Sequence, residues 1–149
     1  MSVAIDVAVE TGRLGVPRAL LKAAAMATLR DGRVPDAELS IAFVNNRTIA
    51  RLNRQHLRHR GPTDVISFGF APTGPGAPLV GDIYIAVDVA RSAARDRGIP
   101  LRDELVRLVV HGTLHVLGHD HPEDESRVDS PMWLLQERLV KRVLRTGRR

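Results

Sequence analysis

Four of the six histidines of this chain fall within eleven residues, between His111 and His121. His111 and His115 are four residues apart, so on a helix both imidazoles project from the same face, one turn apart. Two imidazoles in that arrangement can share one zinc ion at bond lengths of about 2.0–2.1 Å. The segment therefore predicts a metal centre whose first two ligands are His111 and His115.

A third ligand is expected beyond the end of this helix. On a straight helix His119 would stand about 12 Å along the axis from His111, at a rise of about 1.5 Å per residue. Gly118 permits the left-handed backbone conformation that ends a helix and reverses the chain, after which His121 can return to the metal. We therefore predict that His111, His115 and His121 bind one Zn²⁺ ion, with His119 as the alternative third ligand.

Three neutral histidines favour zinc, although nickel and copper accept the same donors. Three protein ligands leave a fourth position for water, which is the arrangement of a catalytic rather than a structural zinc site. Water held there becomes acidic, because the metal lowers its pKa to about 7. The alternative, ordinary polar histidines on a half-buried helix, would bury several imidazoles without partners at a cost in free energy. The metal-bound water is therefore the expected catalytic group, and no general base is assigned.

The histidine spacing also matches the zinc helix of metzincin proteases. Those enzymes have a glutamate directly after the first histidine as the general base, whereas this chain has Gly112. Glycine cannot transfer a proton, so peptide hydrolysis by that route is not expected. The pattern indicates a metal-dependent hydrolase with another substrate, and a peptidase with an unusual base stays open as an alternative.

Composition excludes several classes of site. The 149 residues include no cysteine, so disulfides, thiolate-bound metals and thiol nucleophiles are excluded. Three Phe, one Trp and one Tyr weigh against a base-stacking RNA platform. No apolar run approaches the roughly 18 residues of a membrane span, and the N-terminus lacks the pattern of a secretory signal. The sequence therefore gives no indication of export, and we expect no membrane partner.

The net charge of +5 is unevenly distributed along the chain. Residues 46–61 hold five arginines and no acid, and the tail, residues 138–149, holds six basic residues and no acid. The rest has 11 basic and 17 acidic residues, a net charge of −6. Four arginines form one stripe of the predicted second helix and either follow a phosphate backbone or face solvent: Arg47, Arg51, Arg54 and Arg58. The tail either contacts RNA or the ribosome non-specifically or is a frayed end.

Hydrophobic periodicity predicts the elements that position these groups. Strands are expected at residues 3–9, 39–44, 65–70 and 82–87, and helices at 17–31, 46–57, 88–97, 101–117 and 131–144. Residues 71–78, rich in Pro and Gly, predict a mobile loop. The order β-α-β-α-β-β-α-α-α indicates one α/β (α+β) domain over residues 1–149. We expect a small mixed four-stranded sheet, about five helices and a buried metal helix.

The histidine segment resembles the signature of the YbeY family of bacterial rRNA-maturation endoribonucleases, in which Gly after the first histidine is normal. Further motifs similar to the family's occur in the expected order: Leu52-Asn53, Pro62–Phe68, Gly81–Ile83, Glu104-Leu105 and Met132. The resemblance implies a zinc-dependent endonuclease of single-stranded RNA, with a role in 16S rRNA 3′-end maturation and ribosome quality control in the bacterial cytoplasm. It also implies the same three histidine ligands.

Two positions depart from the family pattern. Position 119 is His where the family usually has Tyr. Many members have an arginine ahead of the Pro-Thr-Asp motif, whereas this chain has His56-Leu57, so Arg58 or Arg60 would have to contact the phosphate in its place. A non-catalytic ribosome-assembly factor with a structural zinc is the alternative function from a different class.

Overall fold

The apolar segments of the described chain pair into one mixed sheet, with β1 (Ser2–Val9), β2 (Asp36–Val44), β3 (Val65–Phe70) and β4 (Leu79–Ala86) in the order β1-β2-β4-β3. A computed structural model describes residues 2–10, 12–57, 64–70, 73–120 and 129–147. Strands β1, β2 and β4 are parallel, and β3 joins β4 antiparallel at one edge. The predicted α/β domain with a mixed four-stranded sheet is therefore confirmed.

The described residues also form five helices: α1 (Arg18–Asp31), α2 (Asn46–Leu52), α3 (Val87–Arg97), α4 (Leu101–Val116) and α5 (Pro131–Gly147). A single π-helical turn, Asn53–Leu57, continues α2. Asn45 caps α2 by accepting from the Thr48 N–H at 2.9 Å, and Ser130 caps α5 by accepting from the Trp133 N–H at 3.2 Å. None of the described helices is long and apolar enough to span a membrane.

Alternation along the strands gives the sheet two different faces. One face carries Ile83 and Ile85 into the main core, where α1 and α4 cover the sheet and α5 packs on both helices. The opposite face carries Ile66 and Ala86, which share a smaller apolar cluster with Ile49 of α2. Helices α4 and α2 therefore lie on opposite sides of the sheet.

Helix α4 approaches strands β3 and β4 so closely that side chains are excluded at two positions. A Cβ atom on Gly112 would stand 2.7 Å from Ile83 Cγ2 and 3.3 Å from Ser67 Oγ, and one on Gly81 would stand 2.5 Å from Val116 Cγ1. Cβ contacts below 3.0 Å are essentially never observed. Ten of the sixteen residues of α4 are buried. This packing fixes the rotation of α4 about its axis, and with it the direction of its histidines.

The basic C-terminal segment is helical, which corrects the alternative of a frayed tail over residues 138–149. Helix α5 extends to Gly147, three residues beyond the predicted end, and Leu139, Val140 and Val143 are buried. Because these apolar residues recur at helical spacing, one side of the segment joins the core while Arg138 and Arg142 stay exposed. Residues 148–149 lie outside the described part of the chain.

The segment predicted to be a mobile loop is only partly described. Residues 73–78 contain neither helix nor strand, as expected, whereas residues 71–72 lie outside the described ranges. The mobility of the segment stays a prediction. Strands β2 and β4 each begin three residues earlier than predicted, at Asp36 and Leu79, because the two strands already pair there, Ala37 with Leu79 and Glu38 with Val80.

Candidate metal centre

The C-terminal half of α4 brings His111 and His115, hereafter the histidine pair, into contact. Their ring centroids lie 4.6 Å apart, with the ring planes at 80° to each other. The two Nε2 atoms are 3.0 Å apart. Two ligands held at about 2.0–2.1 Å by one tetrahedral zinc ion stand about 3.3 Å apart. The pair therefore has nearly the spacing that a shared ion requires.

The turn after α4 orients His115 through the backbone. Gly118 adopts a left-handed φ of 100°, which confirms its predicted conformation. The N–H groups of Gly118 and His119 donate to the carbonyls of His115 and Leu114 at 3.0 Å, the hydrogen bonds of a Schellman motif. The His119 carbonyl oxygen then lies 3.0 Å from His115 Nδ1. Because a carbonyl can only accept, Nδ1 of His115 donates in this contact.

A side chain of α5 orients His111. Its Nδ1 lies 2.6 Å from Oε1 of Gln136, a residue that is only 1% exposed. The Nε2 group of Gln136 donates to Glu137 at 3.1 Å. Glu137 also accepts from Nε of Arg107 at 2.9 Å and from its second amino group at 3.1 Å. The histidine pair is thus connected to an arginine through two side chains of α5.

The same arginine joins a buried ion-pair cluster behind the histidines. Glu104 is buried at 2% exposure and accepts from Arg97 of α3 at 3.0 Å and from Arg107 at 3.2 Å. Two guanidinium groups thus surround one buried carboxylate, which offsets the cost of its desolvation. The cluster links helices α3, α4 and α5 on the N-terminal side of the histidine pair.

The ion pair between Glu137 and Arg107 makes the free energy of unfolding depend on pH. Burial opposes ionisation of this carboxyl, but hydrogen bonds from Arg107 and Gln136 and the charges of Arg107 and Arg97 hold its pKa below the ordinary value of 4.5. A pKa lowered by folding adds stability above the unfolded pKa, and this stability is lost as pH falls through the folded pKa. We expect the urea midpoint to fall on acidification below about pH 4.5, and to fall less steeply in Glu137→Gln. Identical pH dependence in both proteins would contradict this.

The structure describes only part of the predicted ligand set. His111 and His115 are adjacent, whereas the predicted third ligand, His121, and the predicted phosphate contact, Arg58, lie outside the described residues. Within the described ranges, no third His, Asp or Glu side chain completes a three-ligand group. His119, the alternative third ligand, is exposed, and its contact with His115 is made by its backbone carbonyl.

The three described arginines of the predicted stripe lie across the sheet from the histidine pair. Arg47, Arg51 and Arg54 are exposed on α2 and on the π-helical turn that follows. Ile49 on the other side of α2 is fully buried, as expected. Because α2 and α4 pack on opposite faces, the sheet separates these three arginines from the histidines.

The sequence reasoning missed the polar residues that orient the histidines. Gln136 lies on the apolar side of α5, four residues after Met132 and three before Leu139, both of which are buried. A buried amide on such a face must find hydrogen-bond partners. That position was the available signal, but the partners, His111 and Glu137, become evident only when α5 is packed on α4.

Comparison with known proteins adds a family assignment to this geometry. A family model described as Endoribonuclease YbeY matches residues 11–143. A curated Endoribonuclease YbeY from Bacillus licheniformis is 37% identical over 153 residues, covering 95% of this chain and 96% of that protein. The Endoribonuclease YbeY of Persephonella marina is 32% identical, covering 90% of this chain and 88% of that protein.

A solved structure matches the fold across nearly the whole chain. The solution structure of TM1509 from Thermotoga maritima superposes with a TM-score of 0.63 at 24% identity, covering 97% of this chain and 91% of that one. The family model spans every described element from α1 to α4 and most of α5. The resemblance inferred from the histidine segment is therefore confirmed, and the chain belongs to the YbeY endoribonuclease family.

Proposed function

We propose that this chain is a zinc-dependent endoribonuclease that cleaves single-stranded RNA. We further propose that it acts in the bacterial cytoplasm on the 3′ end of 16S rRNA and in ribosome quality control, with the ribosome as its partner. The observation that carries the proposal is the 3.0 Å approach of the two Nε2 atoms of the histidine pair, with each Nδ1 turned to an oxygen acceptor. Relatives at 32–42% identity are named endoribonucleases, which supports RNA as the substrate.

The histidine pair fits a divalent cation. Both Nδ1 atoms point at carbonyl-type oxygens, which only accept, so both rings carry their proton at Nδ1. The facing Nε2 atoms then present lone pairs to each other, an arrangement that is repulsive unless a cation or a proton lies between them. Hydrogen bonding at the remote ring nitrogen is also typical of metal-bound histidines. We propose His121 as the third ligand.

Zinc bound by these residues would supply a Lewis acid for water activation or for polarisation of a phosphate oxygen. The protein's own contribution is to hold two imidazoles in one tautomer and at one spacing before the ion arrives. Helix α4 does this because its close contact with β3 and β4 fixes its rotation. Arg58 or Arg60 is proposed to contact the scissile phosphate.

The three described arginines of the stripe, Arg47, Arg51 and Arg54, are proposed to bind RNA at a distance from the cleavage centre. They are exposed on the side of the sheet that also carries the Phe68 and Tyr84 rings, whose centroids are 6.0 Å apart, and Phe70, which is 50% exposed. Three of the chain's five aromatic residues therefore lie on this side. Although the composition disfavoured base stacking, these rings lie where bases could stack while guanidinium groups contact phosphates.

Replacing the three described arginines of the stripe should weaken RNA binding without changing the rate of the chemical step. We expect the triple variant Arg47→Ala, Arg51→Ala, Arg54→Ala to raise KM and to leave kcat within about twofold, because the sheet separates these groups from the histidines. The salt dependence of RNA binding should also fall, by about 2 in its log–log slope, since each phosphate contact contributes about 0.7 for single strands. A large loss of kcat with an unchanged KM would contradict a distant role.

The proposed activity is tested with the purified full-length chain. Metal analysis should give one zinc per chain, and the protein should cut a single-stranded RNA while leaving its duplex form and casein intact. Cleavage of casein alone would replace the RNA assignment by peptidase activity. Bound zinc without any cleavage would favour a structural zinc in a ribosome-assembly factor. Product analysis then separates two routes, because attack by the ribose 2′-OH leaves a cyclic phosphate and is abolished by 2′-deoxy substitution at the cleavage position.

A further inference from the structure

We infer that Gln136 is a positioning residue that fixes the tautomer of His111. Arg107, acting through Glu137, determines which end of the Gln136 amide faces His111. The tautomer assignment rests on contacts in the structure, whereas its use in metal binding rests on the proposed function. Neither the sequence motifs nor the family assignment gives Gln136 a role.

The donors and acceptors between Arg107 and His111 can be assigned from the Arg107 guanidinium, which can only donate. Arg107 donates to Glu137 at 2.9 Å through Nε, so the carboxylate of Glu137 accepts and stays ionised. A carboxylate cannot donate to the neighbouring amide, so the NH₂ group of Gln136 must face Glu137, at 3.1 Å. The amide oxygen is then left facing His111 at 2.6 Å. Nδ1 of His111 must therefore carry the proton, and Nε2 must be the metal-binding nitrogen.

Burial makes this assignment rigid. Gln136 is 1% exposed, so its amide cannot exchange these partners for water. A flipped amide would point its NH₂ group at Nδ1 and its oxygen at the Glu137 carboxylate, which places two acceptors in contact within a buried site. A buried acceptor without a donor costs about 1–3 kcal/mol. The flipped state is thus disfavoured by the acceptor–acceptor contact at the Glu137 end of the amide.

The histidine pair provides its own internal comparison. His115 receives the equivalent support from the backbone carbonyl of His119, at 3.0 Å. No side-chain substitution removes a carbonyl, whereas the acceptor of His111 is a side chain that can be replaced. Substitution of Gln136 should therefore affect the tautomer of His111 and leave that of His115 in place.

The direct test replaces Gln136 by Met, which is similar in length but has no amide acceptor. ¹⁵N spectra of the zinc-free protein at alkaline pH report which ring nitrogen carries the proton. We expect protonated Nδ1 on both histidines in the wild type, and loss of Nδ1 protonation on His111 alone in Gln136→Met. Zinc affinity, measured by competition with a chelator, should fall about 10–100-fold.

Two further variants distinguish loss of the His111 tautomer from a general loss of protein stability. Gln136→Glu retains an oxygen acceptor and should keep Nδ1 of His111 protonated, with zinc affinity closer to wild type than Gln136→Met. Leu139→Ala, one turn along α5 and fully buried, should lower the urea midpoint without changing the tautomers or the zinc affinity of the folded protein.

The outcomes distinguish this inference from the proposed function. Wild-type protein that has the His111 tautomer described above but binds no zinc would overturn the zinc proposal and leave the tautomer assignment standing. A wild-type His111 protonated at Nε2 and bare at Nδ1 would overturn the inference whatever the zinc content. Zinc affinity in Gln136→Met equal to that of the wild type would overturn the positioning role.

Discussion

Replacing His115 by alanine is expected to remove zinc and RNA cleavage together while the protein stays folded. The Nε2 atoms of His111 and His115 lie 3.0 Å apart. Loss of one imidazole therefore removes one of the two ligands that α4 provides for a shared ion. A bound metal contributes several kcal/mol of charge stabilisation in such reactions. Cleavage should therefore fall by about 10³-fold or more, since each 1.36 kcal/mol is a tenfold change in rate.

The measurement pairs metal analysis with single-stranded RNA cleavage, and circular dichroism reports the fold. His119→Ala is a matched substitution, because it removes a nearby exposed imidazole while retaining the backbone carbonyl that contacts His115. We expect His119→Ala to retain its zinc. A folded His115→Ala protein without zinc that still cleaves RNA would show that the nuclease is a contaminant. Loss of zinc in His119→Ala would instead support His119 as a ligand.

Replacing Gly112 by alanine is expected to destabilise the whole domain. The added methyl would stand 2.7 Å from Ile83 Cγ2, a branch methyl of a fully buried side chain that cannot swing aside. Alanine favours the helix over glycine by about 1 kcal/mol, but overpacking a core costs about 1–3 kcal/mol. We expect a net loss of stability for alanine. For Gly112→Glu, which also buries a carboxylate, we expect no folded protein.

Urea unfolding of Gly112→Ala measures this loss, and a double-mutant cycle assigns it. Ile83→Ala removes the opposing methyl, so the double variant should be less destabilised than the sum of the two single variants. Gly74→Ala is the control, because no atom lies within 4 Å of the added Cβ and its stability should change by less than about 0.5 kcal/mol. Strictly additive effects at 112 and 83 would contradict the steric explanation.

Gly112 also explains why the protease comparison fails. From the sequence, Gly112 was a position where the metzincin base is missing. In the structure it is a position where any side chain would collide with the Ile83 side chain of β4. The sequence could indicate that the base is absent but not that the packing forbids it, because the distance between α4 and β4 depends on residues 29 positions apart.

Much of the fold followed from local patterns. The order of all nine elements was predicted because hydrophobic periodicity acts over a few residues. The end of α5 was placed three residues too early, because no apolar residue follows Leu144 to extend the helical pattern. The π-helical turn after Leu52 also carries no signal in the sequence that we recognised.

The candidate site was predictable where it depends on a single helix. Four-residue spacing alone places His111 and His115 on one face, and Gly118 takes the predicted left-handed turn. The support from Gln136 was not predictable, because it arises between residues 25 positions apart. Arg47, Arg51 and Arg54 are exposed on one side of the helix, in agreement with their helical phase, but this phase could not reveal which side of the sheet carries α2.

The turn that ends α4 has a consequence for how the sequence of this site can vary. His115 is held by the carbonyl of residue 119, and every amino acid supplies that group. Position 119 can therefore be the tyrosine usual in the family or the histidine found here, because either residue supplies the carbonyl that accepts from the His115 ring. Gly118 has no such latitude, since its φ of 100° strains any residue with a Cβ. Position 119 thus tolerates substitution whereas position 118 does not, and both properties follow from the backbone conformation of this one turn.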